Sequence, residues 1–317
     1  MAVFCCHHKH EYIQKAKSKK RPKWSKTRTP KRLEALAVRM SGAIAVDLKT
    51  GINVFRRKIS PEKVYQAWLS RKYEGIRDHL PWDDLPDHLE KTAKTMGSGL
   101  DKFTELGIDA IPPSKQPLLR YDSKNPAIQR IQQERSGDLI TRITNETRST
   151  VAEIVKNNFD RGWSPQDIAQ EVRNYVGLTP RYAQAHANYI NGLKEKGMDP
   201  DKVDALGDRY YQRLLDSRAK TIARTETQFM LNRGQLEVWK EASRQGLISK
   251  NAMKVWVADG DPCPICEDMD GEAVPIHESW VLPEGDEVDI PTETHPNCNC
   301  IMTLETDDDE DEEETEE

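Results

Sequence analysis

The chain has 317 residues, a formal net charge of −6, 36% hydrophobic and 32% charged residues, and a mean hydropathy of −0.79. That length permits a real hydrophobic core, but the low apolar share predicts an elongated, helix-rich, surface-heavy protein rather than a compact enzyme. No stretch is apolar enough to span a bilayer, and Met1 to His10 lacks the apolar core of a secretory signal, so the reading is a soluble, non-secreted protein with no membrane partner.

Charge is distributed unevenly along the chain. Eleven lysines and arginines lie between Lys9 and Arg32, and the Arg21-Pro22 and Thr29-Pro30 steps disfavour helix ahead of each proline. Residues 1–55 therefore read as a flexible basic arm that holds double-stranded DNA non-specifically, through its phosphates. Ser60-Pro61 places an N-cap before a proline at the first helical position, which predicts a helix through Val64, Trp68, Leu69 and Tyr73. Breaks at Pro81-Trp82 and Leu85-Pro86 precede a short helix from about His88 to Met96, and Pro112, Pro113 and Pro117 mark a linker. Residues 56–120 thus form a helical extension.

From residue 121 to 247 the pattern is helical throughout. Ile128, Ile131, Leu139, Ile143, Val151, Ile154, Val155 and Phe159 recur at spacings of three and four, predicting one long amphipathic helix between Asn125 and Gly162. Ser164-Pro165, Thr179-Pro180 and Asp199-Pro200 each open a further helix, the first two ending at Gly177 and near Gly197. Another, from Ser217 towards Gly246, carries Ile222, Phe229, Leu231, Leu236, Val238 and Trp239. Between 248 and 304 the period changes. Lys254–Val257, Ala273–Ile276 and Ile301–Leu304 read as short strands, with Asp-Gly turns at Asp259-Gly260 and Asp270-Gly271. Residues 305–317, acidic except at Thr306 and Thr315, are expected to be a disordered tail. The fold class is mainly α, an elongated helical body with disordered termini and a small α+β zinc-knuckle region at its C-terminal end.

Six cysteines fall in two groups. In a reducing cytosol, Cys263, Cys266, Cys298 and Cys300 point to metal rather than to disulfides. Cys263-Pro264-Ile265-Cys266 is a C-x-x-C turn whose backbone amides can donate to thiolates, and His295-Pro296-Asn297-Cys298-Asn299-Cys300 follows at a spacing compatible with structural zinc. Five candidates compete for four places. Cys263, Cys266, His295 and Cys298 are the favoured set, with Cys300 as a replacement for His295 or a packed thiol. Four Cys and His ligands leave no open position for a catalytic water. The other reading is that these cysteines are buried free thiols, or pair later as disulfides. At the other end, Cys5-Cys6-His7-His8-Lys9-His10 reads as incidental.

These residues together resemble the phage Mu F-like minor head proteins, of the phage head morphogenesis domain family. The resemblance rests on the run Ala219 to Glu226, then Asn232-Arg233-Gly234, Lys254 to Gly260, Cys263 to Cys266, Asp270-Gly271 and His295 to Cys300. It extends from about Pro165 to Leu304. It implies a head morphogenesis domain over 121–304, divided into a helical part (121–247) and the knuckle (248–304). It implies a few-copy virion component inside the head near the portal, present in the host cytoplasm during assembly. Its partners would be the portal protein and the major capsid or scaffolding protein, with release alongside the DNA. Arg224, Thr225 and Glu226 form a family motif. Residues two apart on a helix do not face each other, so Arg224 and Glu226 are expected to bridge to other elements, Arg224 pinning its helix to the knuckle. No catalytic residue is assigned, and the chain reads as a non-enzyme. The competing enzymatic readings are a zinc-knuckle nuclease of the His-Asn-His type, opposed by the presence of only His277 near the cluster, and an ADP-ribosyltransferase-type toxin.

Overall fold

Four of the helix starts named above are built by their caps. Ser60 Oγ accepts from the Lys63 amide, Thr179 Oγ1 from Tyr182 and an Asp199 carboxylate oxygen from Lys202, while Ser164 and Asp167 form a reciprocal capping box. Each cap satisfies an amide that the first helical turn leaves without a partner. The computed structural model describes residues 31–122, 125–160 and 164–306. The basic arm up to Pro30, the Cys5–His10 run and the acidic segment from Asp307 lie outside the described residues.

The helices are α1 (Lys31–Lys58), α2 (Pro61–His79), α3 (Leu85–Ile108), α4 (Pro126–Asp160), α5 (Pro165–Glu171), α6 (Pro180–Glu195) and α7 (Pro200–Arg244). Three of them correct the sequence reading. Residues 31–55 are not a flexible arm but most of α1: Leu33, Ala37, Met40, Ile44, Leu48, Ile52 and Phe55 recur at helical spacing and are all buried. The short helix expected from His88 to Met96 is part of α3, which runs for 24 residues from Leu85, because Gly97 and Gly99, which argue against helix in isolation, sit at buried packing surfaces. The helix expected to start at Ser217 is the second half of α7, which runs unbroken for 45 residues and about 68 Å.

Helices α1, α3 and α7 form the centre of the molecule, and their close approach depends on glycine. A Cβ at Gly107 would lie 3.0 Å from Gln235 Cα, and one at Gly234 would lie 3.2 Å from the Thr104 amide nitrogen. The reciprocal contact lets the α3 and α7 backbones nearly touch, and Trp239 Nε1 donates to the Gly107 carbonyl at the same crossing. One apolar cluster runs from Leu33 through α2, α3, α4 and α6 to Leu231, so the boundary expected at residue 121 does not divide the core. A second cluster joins the C-terminal end of α7, through Leu236, Val238 and Trp239, to Trp256, Trp280 and Met302 beyond it. Helix α7 is thus the shared wall of both cores.

Beyond α7 the predicted strands are present as β1 (Met253–Val257), β2 (Ala273–Pro275) and β5 (Ile301–Glu305). They form an antiparallel sheet in the order β2-β1-β5, with Val255 opposite Ala273 on one side and Thr303 on the other. Helix α8 (Pro264–Met269) and a two-residue hairpin, β3 (Trp280–Val281) with β4 (Glu287–Val288), were not expected; both are too short to leave a periodic signal. Glu305 ends β5 and Thr306 is buried, so those two residues belong to the fold rather than to the tail.

Candidate metal centre and its seam with the long helix

Cys263 is the N-cap of α8, its Sγ accepting from the Cys266 amide at 3.5 Å. A proline at the next position fixes the turn, so both sulfurs of the C-x-x-C face one point. The opposing loop is shaped by Asn297, whose φ of 63° is a left-handed conformation that asparagine tolerates. That turn returns the Cys298 amide to the His295 carbonyl and delivers His295, Cys298 and Cys300 to the same place.

All five residues singled out in the sequence are brought together, as two overlapping triads: Cys263, Cys266 and His295, and Cys266, Cys298 and Cys300. Cys266 belongs to both. His295 Nε2 lies 3.1 Å from Cys263 Sγ and 3.7 Å from Cys266 Sγ, and Cys266 Sγ lies 3.8 Å from Cys298 Sγ. A tetrahedral zinc with Zn–S near 2.3 Å and Zn–N near 2.0 Å separates its ligand atoms by about 3.8 Å (S to S) and about 3.5 Å (S to N). The donor set therefore fits a tetrahedral ion of that size and softness. His295 Nδ1 is 2.9 Å from the Pro296 carbonyl, so Nδ1 carries the proton and Nε2 presents its lone pair to the sulfurs. Thiol hydrogen bonds from Cys266 and Cys300 hold the Cys298 thiol well below the usual range, down to about 4, while Cys266, donating to that thiolate, is pushed up.

The C-terminal region that carries the cluster is fastened to α7 by Thr225, Asn232 and Arg233. Thr225 Oγ1 donates to the Thr221 carbonyl and accepts the Asn297 amide at 3.0 Å. Asn232, fully buried, donates through Nδ2 to the Cys300 carbonyl at 3.0 Å, and Arg233 Nη1 pairs with Asp289 at 3.0 Å. Lys254 donates to the Asp289 carbonyl and sits over the Trp280 ring; burial pushes its pKa down to about 8. Glu226, completely buried, faces the other way: Arg135 of α4 clamps it with bonds of 2.7 and 3.3 Å, and Arg142 lies 3.5 Å off.

The expectation for Arg224 is corrected. It is exposed and makes no hydrogen bond or ion pair to the knuckle among the described residues, because Thr225 and Asn232, on the inward-facing side of α7, make those bonds instead. Sequence reading passed over Asn232, Arg233 and Asp289 as pins, although Asn232 and Arg233 stand at spacings of seven and eight from Thr225, which is one face of a helix. His277 faces Ser243 of α7 at 3.4 Å.

A family described as Phage Mu protein F like protein matches residues 149–303. That region of the chain is similar to the Phage Mu protein F-like family. The matched Mu F-like region starts inside α4 and ends inside β5, so it holds α7, the whole Cys and His cluster and every bond of the seam just described, while α1, α2 and α3 precede it. The family points to phage head morphogenesis, and so to a component of the virion. No curated protein and no solved structure matches the chain. Among the described residues no helix is long and apolar enough to cross a membrane.

Proposed function

We propose that this chain is a minor, low-copy head morphogenesis protein that joins the portal during procapsid assembly and holds its C-terminal region rigid with one structural zinc. The observation that carries this reading is the coincidence between the family match and the seam: residues 149–303 contain both the Cys and His ligands and the α7 residues that anchor them. Cys263, Cys266, His295 and Cys298 would hold the ion, with Cys300 packed beside them. A bound zinc there would supply a cross-link between the Cys263–Cys266 turn and the His295–Cys300 loop, not a site for water. The role is non-enzymatic. This reading is supported by a Cys and His donor set that fills four positions and so leaves none for a catalytic water.

The basic arm ahead of α1 supplies the DNA contact in this account, and the major capsid or scaffolding protein the remaining partners. Particles assembled without this chain are expected to show fewer DNA-filled, infectious heads, restored when the chain is supplied in trans. An unchanged yield of infectious heads would overturn the assignment.

A further inference from the structure

Charge on α1 is sorted by side. From Arg39 onward the helix holds one carboxylate, Asp47, and it is turned inward, where Thr95 Oγ1 donates to it at 2.7 Å and Lys91 pairs with it at 2.8 Å. The outward charges, Arg39, Lys49, Arg56, Arg57 and Lys58, are all cationic. Arg39 and Arg57 are separated by five full turns, so they project from the same side of the helix, about 27 Å apart. The exposed positions between them, Gly42, Ala43, Val46, Thr50 and Val54, are uncharged and short. Glu34, the exposed acid ahead of this run, lies about 140° round the helix from Arg39.

The C-terminal half of this face opens into a cavity of about 690 Å³ between α1, α7 and the turn Val172–Asn174, where Lys49, Arg56, Arg57 and Arg173 surround one carboxylate, Asp208. Lys49 is neutralised by Asp216 at 3.3 Å, Lys58 by Asp84 at 3.1 Å and Arg56 by Asp208 at 2.8 Å. Arg39, Arg57 and Arg173 are exposed, and their side chains make no hydrogen bond or ion pair among the described residues. Three unpaired guanidiniums spread along a face of this length cannot converge on one small anion; they fit an extended polyanion, each forking onto a separate oxyanion. The chain leading into α1 indicates which polyanion: residues 9–28 hold nine lysines and arginines against one acid, Glu11, a run suited to phosphates.

We propose that the outer face of α1, through Arg39, Arg57 and Arg173, is a contact for the phosphate backbone of double-stranded DNA that carries the path of the basic arm onto the folded body. The choice of DNA rests on the reading of that arm as a DNA contact, and the test keeps the two apart. The purified full chain is titrated against a fluorescent duplex of arbitrary sequence at a series of salt concentrations, beside a variant carrying Arg39→Gln, Arg57→Gln and Arg173→Gln. The logarithm of the binding constant is expected to fall less steeply with the logarithm of salt in the variant, by about 2.7 for three phosphate contacts, and by the same amount on unrelated sequences. Because these side chains are exposed and unpaired, the melting temperature of the free chain should not move. In parallel, the duplex is expected to protect Arg39, Arg57 and Arg173 of the native chain from an arginine-specific dicarbonyl reagent, read by mass spectrometry, but not Arg130, an exposed arginine of α4. An unchanged salt slope, or no protection of the three arginines, would overturn the proposal and leave the arm as the contact. Survival of duplex binding when the nine arm cations are changed to glutamine would instead remove the arm reading and support the face. Protection by a peptide with the sequence of residues 307–317, and none by the duplex, would assign the face to an acidic protein segment and overturn the proposal. No binding of the duplex by the native chain would remove both readings.

Discussion

Four side chains, His295, Cys300, Glu226 and His186, carry tests at the scale of single residues. His295 and Cys300 both stand within the Cys and His cluster, but only His295 has its other ring nitrogen fixed by a carbonyl, as a metal ligand requires. His295→Ala is therefore expected to abolish stoichiometric zinc in the purified protein, whereas Cys300→Ser retains it; elemental analysis that shows the reverse would move the ligand assignment to Cys300. Glu226→Gln removes the charge from a buried, charge-assisted pair with Arg135 and is expected to cost about 2 kcal/mol, read as a lower midpoint in urea. His186 supplies a pH dependence. Its ring lies among Tyr175, Tyr210 and Tyr211, Nε2 faces the Gly207 carbonyl at 3.0 Å, and burial pushes its pKa down to about 4. Because the folded state holds the ring neutral while the unfolded chain protonates it near 6.5, stability is complete above about pH 6.5 and falls as pH drops towards 4. His186→Gln is expected to flatten that part of the stability profile; an unchanged slope between pH 6.5 and 4 would show that other groups set it.

At the scale of elements, the crossing of α3 and α7 and the seam between α7 and the knuckle are the vulnerable joints. A methyl at Gly107 meets main-chain Cα rather than a side chain that can swing aside, so Gly107→Ala is expected to destabilise by about 1–3 kcal/mol despite its higher helix propensity. Thermal melting that shows a gain would contradict the close approach. The legible elements were those with explicit punctuation: Ser-Pro, Thr-Pro and Asp-Pro starts placed α2, α5, α6 and the beginning of α7, and three- and four-residue spacing placed α4 from Pro126 to Asp160. Helix α1 was hidden by its charge. Leu33, Met40, Ile44 and Phe55 carry a clear helical period, but the dense lysines and prolines ahead of them dominated the reading. The continuity of α7 through Ser217 was hidden because no breaker stands there and its apolar stripe is thin, the helix being packed on different sides along its length. In the knuckle the sequence identified all five members of the Cys and His cluster, since ligand spacing survives without knowledge of the fold. It misassigned the pin to Arg224, because which side of α7 faces inward depends on α4 and on a loop seventy residues away.

For the whole molecule, two cores share one helix, and only the second contains the cluster. Chelation of zinc is expected to release the knuckle while α1 to α6 stay folded. The signature is loss of the near-ultraviolet circular dichroism of Trp256 and Trp280, packed edge-to-face with centroids 5.3 Å apart, with most far-ultraviolet helical signal retained. Simultaneous loss of both signals would show that the two cores unfold as one. This division suits a particle component whose helical body and rigid C-terminal unit present separate surfaces to neighbouring proteins. The central claim, that the chain is a minor structural component of the head, is tested most directly by quantitative mass spectrometry of purified procapsids and virions, with copies counted relative to the portal protein. The account predicts a low, reproducible copy number that falls when the portal is deleted. Absence from both particles would contradict it.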